Sequence, residues 1–333
     1  MSNYITIENI NHINAELSNF CNSACPMCPR YDSDLNLIKD ISNNSHTTLD
    51  DIKNKIGEKV ISQLKLFRSC GNLGDGSMNP ECLEIYQYVK SINDKTGVSL
   101  NTNGGARDTA FWQELAKLDV TVIFSIDGLE DTNHLYRRNV KWTKLWNNVE
   151  SFISNGGQAQ WDFLIFKHNE HQLIEAEQIA KKVGFKKFQK KYTTRWNDFD
   201  SDGNWLERTK IRVDDYELEM SSHEQQNIHP GSVKKSRAAN NLFEKNVVCK
   251  SYSDNNVEIY LHANGYVSPC CWLGDLTIHE SKNIIKNYDE VSIKNKTLEE
   301  ILEGEYFQSL WNGIQNKSGA YRLQTCLQTC GIN

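Results

Sequence analysis

From Leu64 to Arg195 the apolar residues switch repeatedly between a strand period and a helix period, and few folds accommodate that alternation. The runs "LKLFR", "GVSLNTNGG", "VTVIFSIDGL", "QAQWDFLIF" and "KKFQKKYT" read as strands. Between them "PECLEIYQYVKSI", "DTAFWQELAKL", "TKLWNNVESFISNGG" and "NEHQLIEAEQIAKKVGF" have helical spacing, with Asp108 or Thr109 placed to cap the second and Gly184 to stop the last. Thr48 to Lys59 reads as a further helix, and one more strand is expected just before Cys21. Strand and helix recur at roughly 25 to 35 residues, the rhythm of βα units whose crossovers make neighbouring strands parallel. About six such units fit, and the fold class is α/β.

The rhythm stops after residue 195. Residues 196–245 are polar, with "NDFDSDGNW" and "SSHEQQNIHPGSVKKSRAANN" rich in Ser, Asn, Gly and charge, and read as a connector or insertion. Beyond it, Val257–Leu261 and Tyr266–Ser268 are expected to form a hairpin around Ala263-Asn264-Gly265, and "TLEEILEGEYFQSLWNGI" to form one amphipathic helix. A chain of 333 residues accommodates one full-sized domain and a smaller one. The expected division is therefore 1–195, the connector 196–245, and a small α+β domain over 246–333.

Composition narrows the setting. Lys and Arg total 37 against 43 Asp and Glu, a net charge of -6, which does not favour nucleic acid as a general partner. The first residues lack a basic start followed by an apolar run, and no later window approaches the roughly eighteen apolar residues of a membrane span. The chain is expected to be cytoplasmic, and its ten cysteines then belong to free, catalytic or metal-bound thiols rather than a disulfide framework. Five stand in the first quarter, at Cys21, Cys25, Cys28, Cys70 and Cys82. The other five, Cys249, Cys270, Cys271, Cys326 and Cys330, fall in the last quarter.

The tight group "CNSACPMC" places three thiols on one loop. Soft thiolates suit iron–sulfur clusters, and three of them reach three corners of a cubane 4Fe–4S cluster and leave the fourth iron open. A zinc site completed by a distant residue such as His46 is the competing reading.

Placed after an expected first strand and ahead of a run of βα units, this loop resembles the signature of the radical S-adenosylmethionine (radical SAM) superfamily. The resemblance implies a partial (β/α)6 TIM-like barrel. It also implies that Cys21, Cys25 and Cys28 hold a 4Fe–4S cluster whose open iron is chelated by S-adenosylmethionine. Electron transfer into the sulfonium then generates a 5'-deoxyadenosyl radical that abstracts hydrogen from substrate. "GNLGDGSMNP" looks like the family's region that receives the methionyl ammonium, with Asp75 where Glu is usual. Asn103 in "LNTNGG", with Ser125 and Asp127 in "FSIDG", resemble positions near the cofactor and its ribose. Arg137 or Arg138 in "HLYRRNV" looks like the arginine near the methionyl carboxylate. Met27 occupies a position often aromatic in the family and placed against adenine. Asn169 in "FKHNEHQ" is expected either to face the barrel mouth or to cap a helix.

The C-terminal cysteines extend the resemblance. "GYVSPC" looks like the start of the SPASM and Twitch extensions of radical SAM enzymes, which implies an auxiliary 4Fe–4S cluster on Cys249, Cys270, Cys326 and Cys330. Cys271 is the spare, because adjacent extended residues point apart. A structural zinc site would also use four thiolates. Cys70 is a candidate for the barrel mouth, whereas Cys82 on an amphipathic helix reads as core.

The resemblance implies a radical enzyme acting on a small polar metabolite by oxidation or rearrangement. Peptide modification, by thioether formation, carbon cross-linking or side-chain oxidation, is the alternative. A reductase such as a flavodoxin or ferredoxin would supply electrons. A non-enzymatic iron–sulfur or zinc protein that binds a partner is the reading from a different class.

Overall fold

The computed structural model describes residues 4–32, 35–38, 44–193, 195–199, 205–207, 209–222, 246–253, 255–274, 284–315, 326 and 330–332. Six strands follow one another as the periodicity predicts: β1 (His12–Ala15), β2 (Leu66–Ser69), β3 (Gly97–Thr102), β4 (Val120–Ser125), β5 (Gln158–Leu164) and β6 (Lys187–Lys191). Among them lie the helices α1 (Glu58–Gln63), α2 (Cys82–Ile92), α3 (Thr109–Ala116), α4 (Asn133–Tyr136), α5 (Trp142–Ser154) and α6 (Leu173–Val183). Shorter strands follow: β7 (Asn197–Phe199), β8 (Trp205–Glu207), β9 (Lys210–Val213), β10 (Tyr216–Glu219), β11 (Asn246–Val247), β12 (Tyr252–Ser253), β13 (Asn256–Leu261) and β14 (Val267–Ser268). Helices α7 (Leu298–Glu303) and α8 (Glu305–Gln315) precede the last strand, β15 (Gly331–Ile332). The chain divides into two compact units, one of Met1–Phe20, Leu37–Leu100 and Arg237–Asn333, the other of Cys21–Asn36 and Asn101–Ser236.

In the first unit β13 runs parallel to β1, β1 to β2 and β2 to β3. The expected hairpin is present: Tyr260 pairs with Ser268 across a turn in which Gly265 has φ 90°. It extends the sheet that begins with β1, with His12 opposite Glu258 and Ala15 opposite Leu261. Because strand side chains alternate, the two faces differ. Ile13, Phe67, Val98 and Ile259 are buried on one, where Phe67 meets Tyr86 of α2 edge-on at 6.3 Å. The other carries His12, Asn14, Arg68, Glu258 and Tyr260, polar groups suited to a lined interior rather than a helix-packed core. The loop after β2 comes close enough to the loop after β1 to require glycine: a Cβ on Gly74 would stand 1.9 Å from the Ser18 carbonyl oxygen. Gly74→Ala is expected to destabilise the protein by about 1–3 kcal/mol. An unchanged urea midpoint would contradict this close approach.

In the second unit β4, β5 and β6 are parallel neighbours. Val120, Val122 and Phe124 alternate inward on β4, as do Ala159, Trp161 and Phe163 on β5. Phe124 packs against Trp112 of α3 at 5.3 Å and Phe152 of α5 at 5.9 Å, and burying each such ring contributes about 2–3 kcal/mol. Asp108 caps α3 by accepting from the Phe111 amide, and Gly184 ends α6 at φ 105°.

Three segments differ from the sequence reading. The helix expected over 48–59 is a wider turn over Asp51–Ile56, broken at Gly57 with φ 86° before α1 continues to Gln63. The single helix expected near the C-terminus is two, because Gly304 leaves the helical region at ψ 138°. A reciprocal Thr297–Glu300 capping box starts the first of them. Within 196–245 the described residues pair as β7 with β8 and β9 with β10. Ile211 and Val213 alternate with Lys210 and Arg212, a strand pattern only four residues long inside polar sequence. Residues 223–245 lie outside the described residues.

A three-cysteine loop and a cysteine-lined cavity

The loop after β1 is shaped by its own backbone. The Cys28 amide donates to the Cys25 carbonyl at 3.1 Å and the Tyr31 amide to the Cys28 carbonyl at 3.0 Å, winding the cysteines around a turn. The Arg138 carbonyl accepts from the Ala24 amide at 3.1 Å and from the Ser23 hydroxyl at 3.1 Å, which ties the loop to the segment after α4. Donors also face the sulfurs. The Ser23 amide and Asn103 Nδ2 lie 3.4 and 3.5 Å from Cys21 Sγ. The Ser23 hydroxyl is 3.1 Å and Arg137 Nη1 3.6 Å from Cys25 Sγ. Burial, and then the neighbouring Cys25, push the Cys28 thiol up to about 11. Such a thiol becomes a thiolate when a cation binds it.

Of the two candidate arginines, Arg137 reaches the Cys25 sulfur, while the Arg138 guanidinium pairs with Asp214 at 2.5 Å. Arg137 is aimed by Asp127, whose Oδ2 accepts from Nε at 2.6 Å while Oδ1 accepts from the Leu164 amide at 2.7 Å. Burial pushes the Asp127 carboxyl up, against the pull of Arg137. Asn103 bridges to Asn22 at 2.8 Å, and its Oδ1 accepts from the Gly105 amide. Ser125 is half-buried at the end of β4. Met27 is buried in one apolar cluster with Cys25, Tyr136, Phe166, Trp196, Val213, Leu218 and Met220. The β9–β10 hairpin thus packs on the cysteine loop, and Arg195 Nη1 donates to the Met27 carbonyl at 3.2 Å.

Asn169 stands beyond the end of β5. Its side chain is buried, accepting from the Phe166 amide and donating to the carbonyls of Asp127 and Leu164, so it ties the ends of β4 and β5 together. In the first unit Asp75 is also buried, and its carboxylate accepts from the Ser77 amide at 3.0 Å and the Ser77 hydroxyl at 2.7 Å. The Asp75 amide donates to the Phe20 carbonyl, immediately before Cys21.

The C-terminal cysteines converge. Cys249, Cys270, Cys271, Cys326 and Cys330 line one cavity of about 330 Å³, together with Asn14, Arg68 and Glu258 from the polar sheet face. Pairing of β11 with β15 brings the two ends of this region together. The Cys330 amide donates to the Cys326 carbonyl at 2.9 Å. Burial pushes Cys249 up to about 11 and Cys270 well above the ordinary thiol value. Cys271, read from the sequence as pointing away, lines the cavity too, because the chain turns there: the Gly274 amide closes on the Cys270 carbonyl at 3.0 Å. Trp272 also walls the cavity, whereas Cys82 is core as expected.

The sequence reading missed Glu16, at the end of β1. Its Oε1 accepts from the Asn72 amide at 2.6 Å, the Cys70 thiol at 3.1 Å and the Tyr260 hydroxyl at 3.1 Å. The signal was a carboxylate two residues beyond Asn14, on the polar side of the alternating "INAEL".

The family model for the radical SAM superfamily matches residues 15–183, more than half of the chain. The chain belongs to the radical SAM superfamily. The iron–sulfur cluster-binding SPASM domain matches residues 249–331. A search of curated proteins finds no match. Among solved structures, native anSMEcpe with bound AdoMet is 14% identical with a TM-score of 0.54, covering 90% of this chain and 82% of that one. AnSMEcpe with AdoMet and the Cp18Cys peptide is 14% identical with a TM-score of 0.54, covering 96% and 86%. Streptococcus suis SuiB bound to precursor peptide SuiA is 12% identical with a TM-score of 0.53, covering 94% and 66%.

This radical SAM protein therefore has the partial TIM-like barrel that the resemblance implied, followed by the SPASM region. Family membership brings a 4Fe–4S cluster and S-adenosylmethionine, and the SPASM region brings auxiliary iron–sulfur clusters. The donor chemistry suits both, although among the described residues no three His, Cys, Asp or Glu side chains are gathered closely enough to hold a single metal ion. Three thiols on one loop, with N–H donors reaching the sulfurs of Cys21 and Cys25, suit thiolate ligation, and a five-thiol cavity suits a second cluster. Among the described residues no helix is long and apolar enough to cross a membrane.

Proposed function

We propose that this radical SAM protein oxidises or rearranges a small polar metabolite, using one cluster held by Cys21, Cys25 and Cys28 and one auxiliary cluster held by Cys249, Cys270, Cys326 and Cys330. The bound cofactors supply reductive cleavage of S-adenosylmethionine and a hydrogen-abstracting 5'-deoxyadenosyl radical. The observation that carries the reading is a loop with three thiols and no fourth, whose sulfurs receive Asn103 and Arg137. In this reading Arg137 and Asp75 meet the methionyl carboxylate and ammonium, Asn103, Ser125 and Asp127 frame the cofactor and its ribose, and Met27 lies against adenine. Asn169 holds the strand ends that carry them. The polar groups Asn14, Arg68 and Glu258 beside the auxiliary cysteines support a polar substrate. A peptide substrate is the second reading, supported by the peptides bound to anSMEcpe and SuiB. Ten free cysteines support a reducing, cytoplasmic setting in which a flavodoxin or ferredoxin supplies electrons.

Anaerobic reconstitution with iron and sulfide, followed by S-adenosylmethionine and dithionite, is expected to yield 5'-deoxyadenosine from the wild type and none from Cys28→Ala. Equal yields would leave a non-enzymatic cluster protein. About eight irons per chain are expected, falling to about four when Cys249 and Cys330 are replaced by alanine. Zinc in place of the second four irons would overturn the auxiliary assignment.

A further inference from the structure

Glu16 is the least accounted-for group in the first unit. Its carboxylate is 1% exposed, three donors converge on Oε1, and among the described residues Oε2 has no hydrogen-bond partner. The hydrogen bonds to Oε1, together with the nearby Leu73 amide, offset part of the cost of burying its charge.

Its position links it to the auxiliary cysteines. Asn14 and Glu16 are two residues apart along β1 and its extension, as are Arg68 and Cys70 along β2, so each pair shares a face. Asn14 and Arg68 line the cysteine cavity, and Glu16 and Cys70 form the next layer along the same face. Tyr260, which donates to Glu16, packs its ring against the loop that begins at Cys270: a Cβ on Gly274 would lie 2.3 Å from Tyr260 Cδ1. Cys271 on that loop acts electrostatically on Cys70. Carboxylate, thiol and phenol thus connect the end of β1 to the cavity wall.

We propose that Glu16 is the proton acceptor of the auxiliary centre, taking up one proton when one electron enters that centre. The inference rests on the auxiliary-cluster reading. An added electron places one more negative charge behind the Cys270–Gly274 loop, and a buried carboxylate facing it is relieved by binding H⁺ from solvent. One electron from the reductant and one proton balance the step, and no other bond is made or broken. The titratable groups facing Glu16 are Cys70 from the end of β2 and Tyr260 from β13, neither of which carries positive charge. His262, next along that face of β13, is held neutral by burial, at about 4. Arg68 and Glu258 stand at the cavity. Burial pushes the Glu16 carboxyl up to about 7, against the hydrogen bonds from Cys70 and Asn72, so it can change charge near neutral pH.

The test is the midpoint potential of the auxiliary centre in the reconstituted holoenzyme, followed by electron paramagnetic resonance across pH. In the wild type the potential is expected to fall above about pH 7, by up to about 59 mV for each tenfold drop in proton activity. In Glu16→Gln, which keeps the shape and an acceptor oxygen, it is expected to stay flat. Tyr260→Phe removes one donor from the carboxylate and is expected to move the onset to higher pH. A flat wild type, a Glu16→Gln slope equal to the wild type, or an unmoved onset in Tyr260→Phe would each overturn the proposal while leaving the iron count intact. A wild type holding about four irons instead of about eight would overturn the auxiliary-cluster reading and the proposal with it.

Discussion

Asp127→Ala is expected to destabilise the protein by about 3–5 kcal/mol, the cost of leaving one member of a buried ion pair without its partner. Asp127 has 1% of its side chain exposed and Arg137 19%, and they meet at 2.6 Å. Removing the carboxylate strands the guanidinium in a site shaped for a neutralised pair and also frees the Leu164 amide. The exposed Lys117–Glu114 pair, with side chains 60% and 54% exposed, is the control: Lys117→Ala is expected to cost less than about 1 kcal/mol. The second consequence lies at the cysteine loop. Arg137 Nη1 stands 3.6 Å from Cys25 Sγ while Nε is held by Asp127, so on the proposed ligation the variant should also take up less iron. Asp127→Asn keeps an acceptor for Leu164 but loses the charge, and should lie between the wild type and Asp127→Ala. Paired urea unfolding and iron analysis check this; a loss under about 1 kcal/mol for Asp127→Ala would show that the pair is screened like a surface one.

The same pair shows what was readable from sequence. Asp127 and the Arg137–Arg138 dipeptide stood out as candidates, yet nothing in one dimension distinguishes the arginines; the fold does, by turning one toward Cys25 and the other toward Asp214. β2, β4 and β5 were legible because each buries alternate residues over four or more positions, leaving a periodic imprint. The β9–β10 hairpin was not, since two buried residues, Val213 and Leu218, sit among charges and are buried against Met27 and Cys25, far away in sequence. Helix breaks at Gly57 and Gly304 were missed because apolar spacing continues through both glycines. Cys271 was set aside on strand geometry, and a turn overrode it. Glu16 was invisible for a related reason: its donors come from Cys70, Asn72 and Tyr260, at sequence distances of up to 244 residues.

Glu16 should also make stability depend on pH in an unusual direction. A carboxyl whose folded value is raised from 4.5 to about 7 binds more protons folded than unfolded across that interval, so stability falls as pH rises through it. The penalty is absent below the unfolded value and complete above about 7. At about 1.4 kcal/mol per pH unit it amounts to about 3 kcal/mol. Glu16→Gln carries no such term. The stability of Glu16→Gln relative to wild type should therefore grow by about 3 kcal/mol between about pH 5 and about pH 8, whatever its offset from the altered hydrogen bonds. Urea unfolding of both proteins at matched pH measures that difference, and titrations common to the two cancel. A gap independent of pH would mean that Oε1's three donors hold the carboxylate ionised throughout, in which case Glu16 would be a fixed negative charge under the cavity rather than a site for a proton.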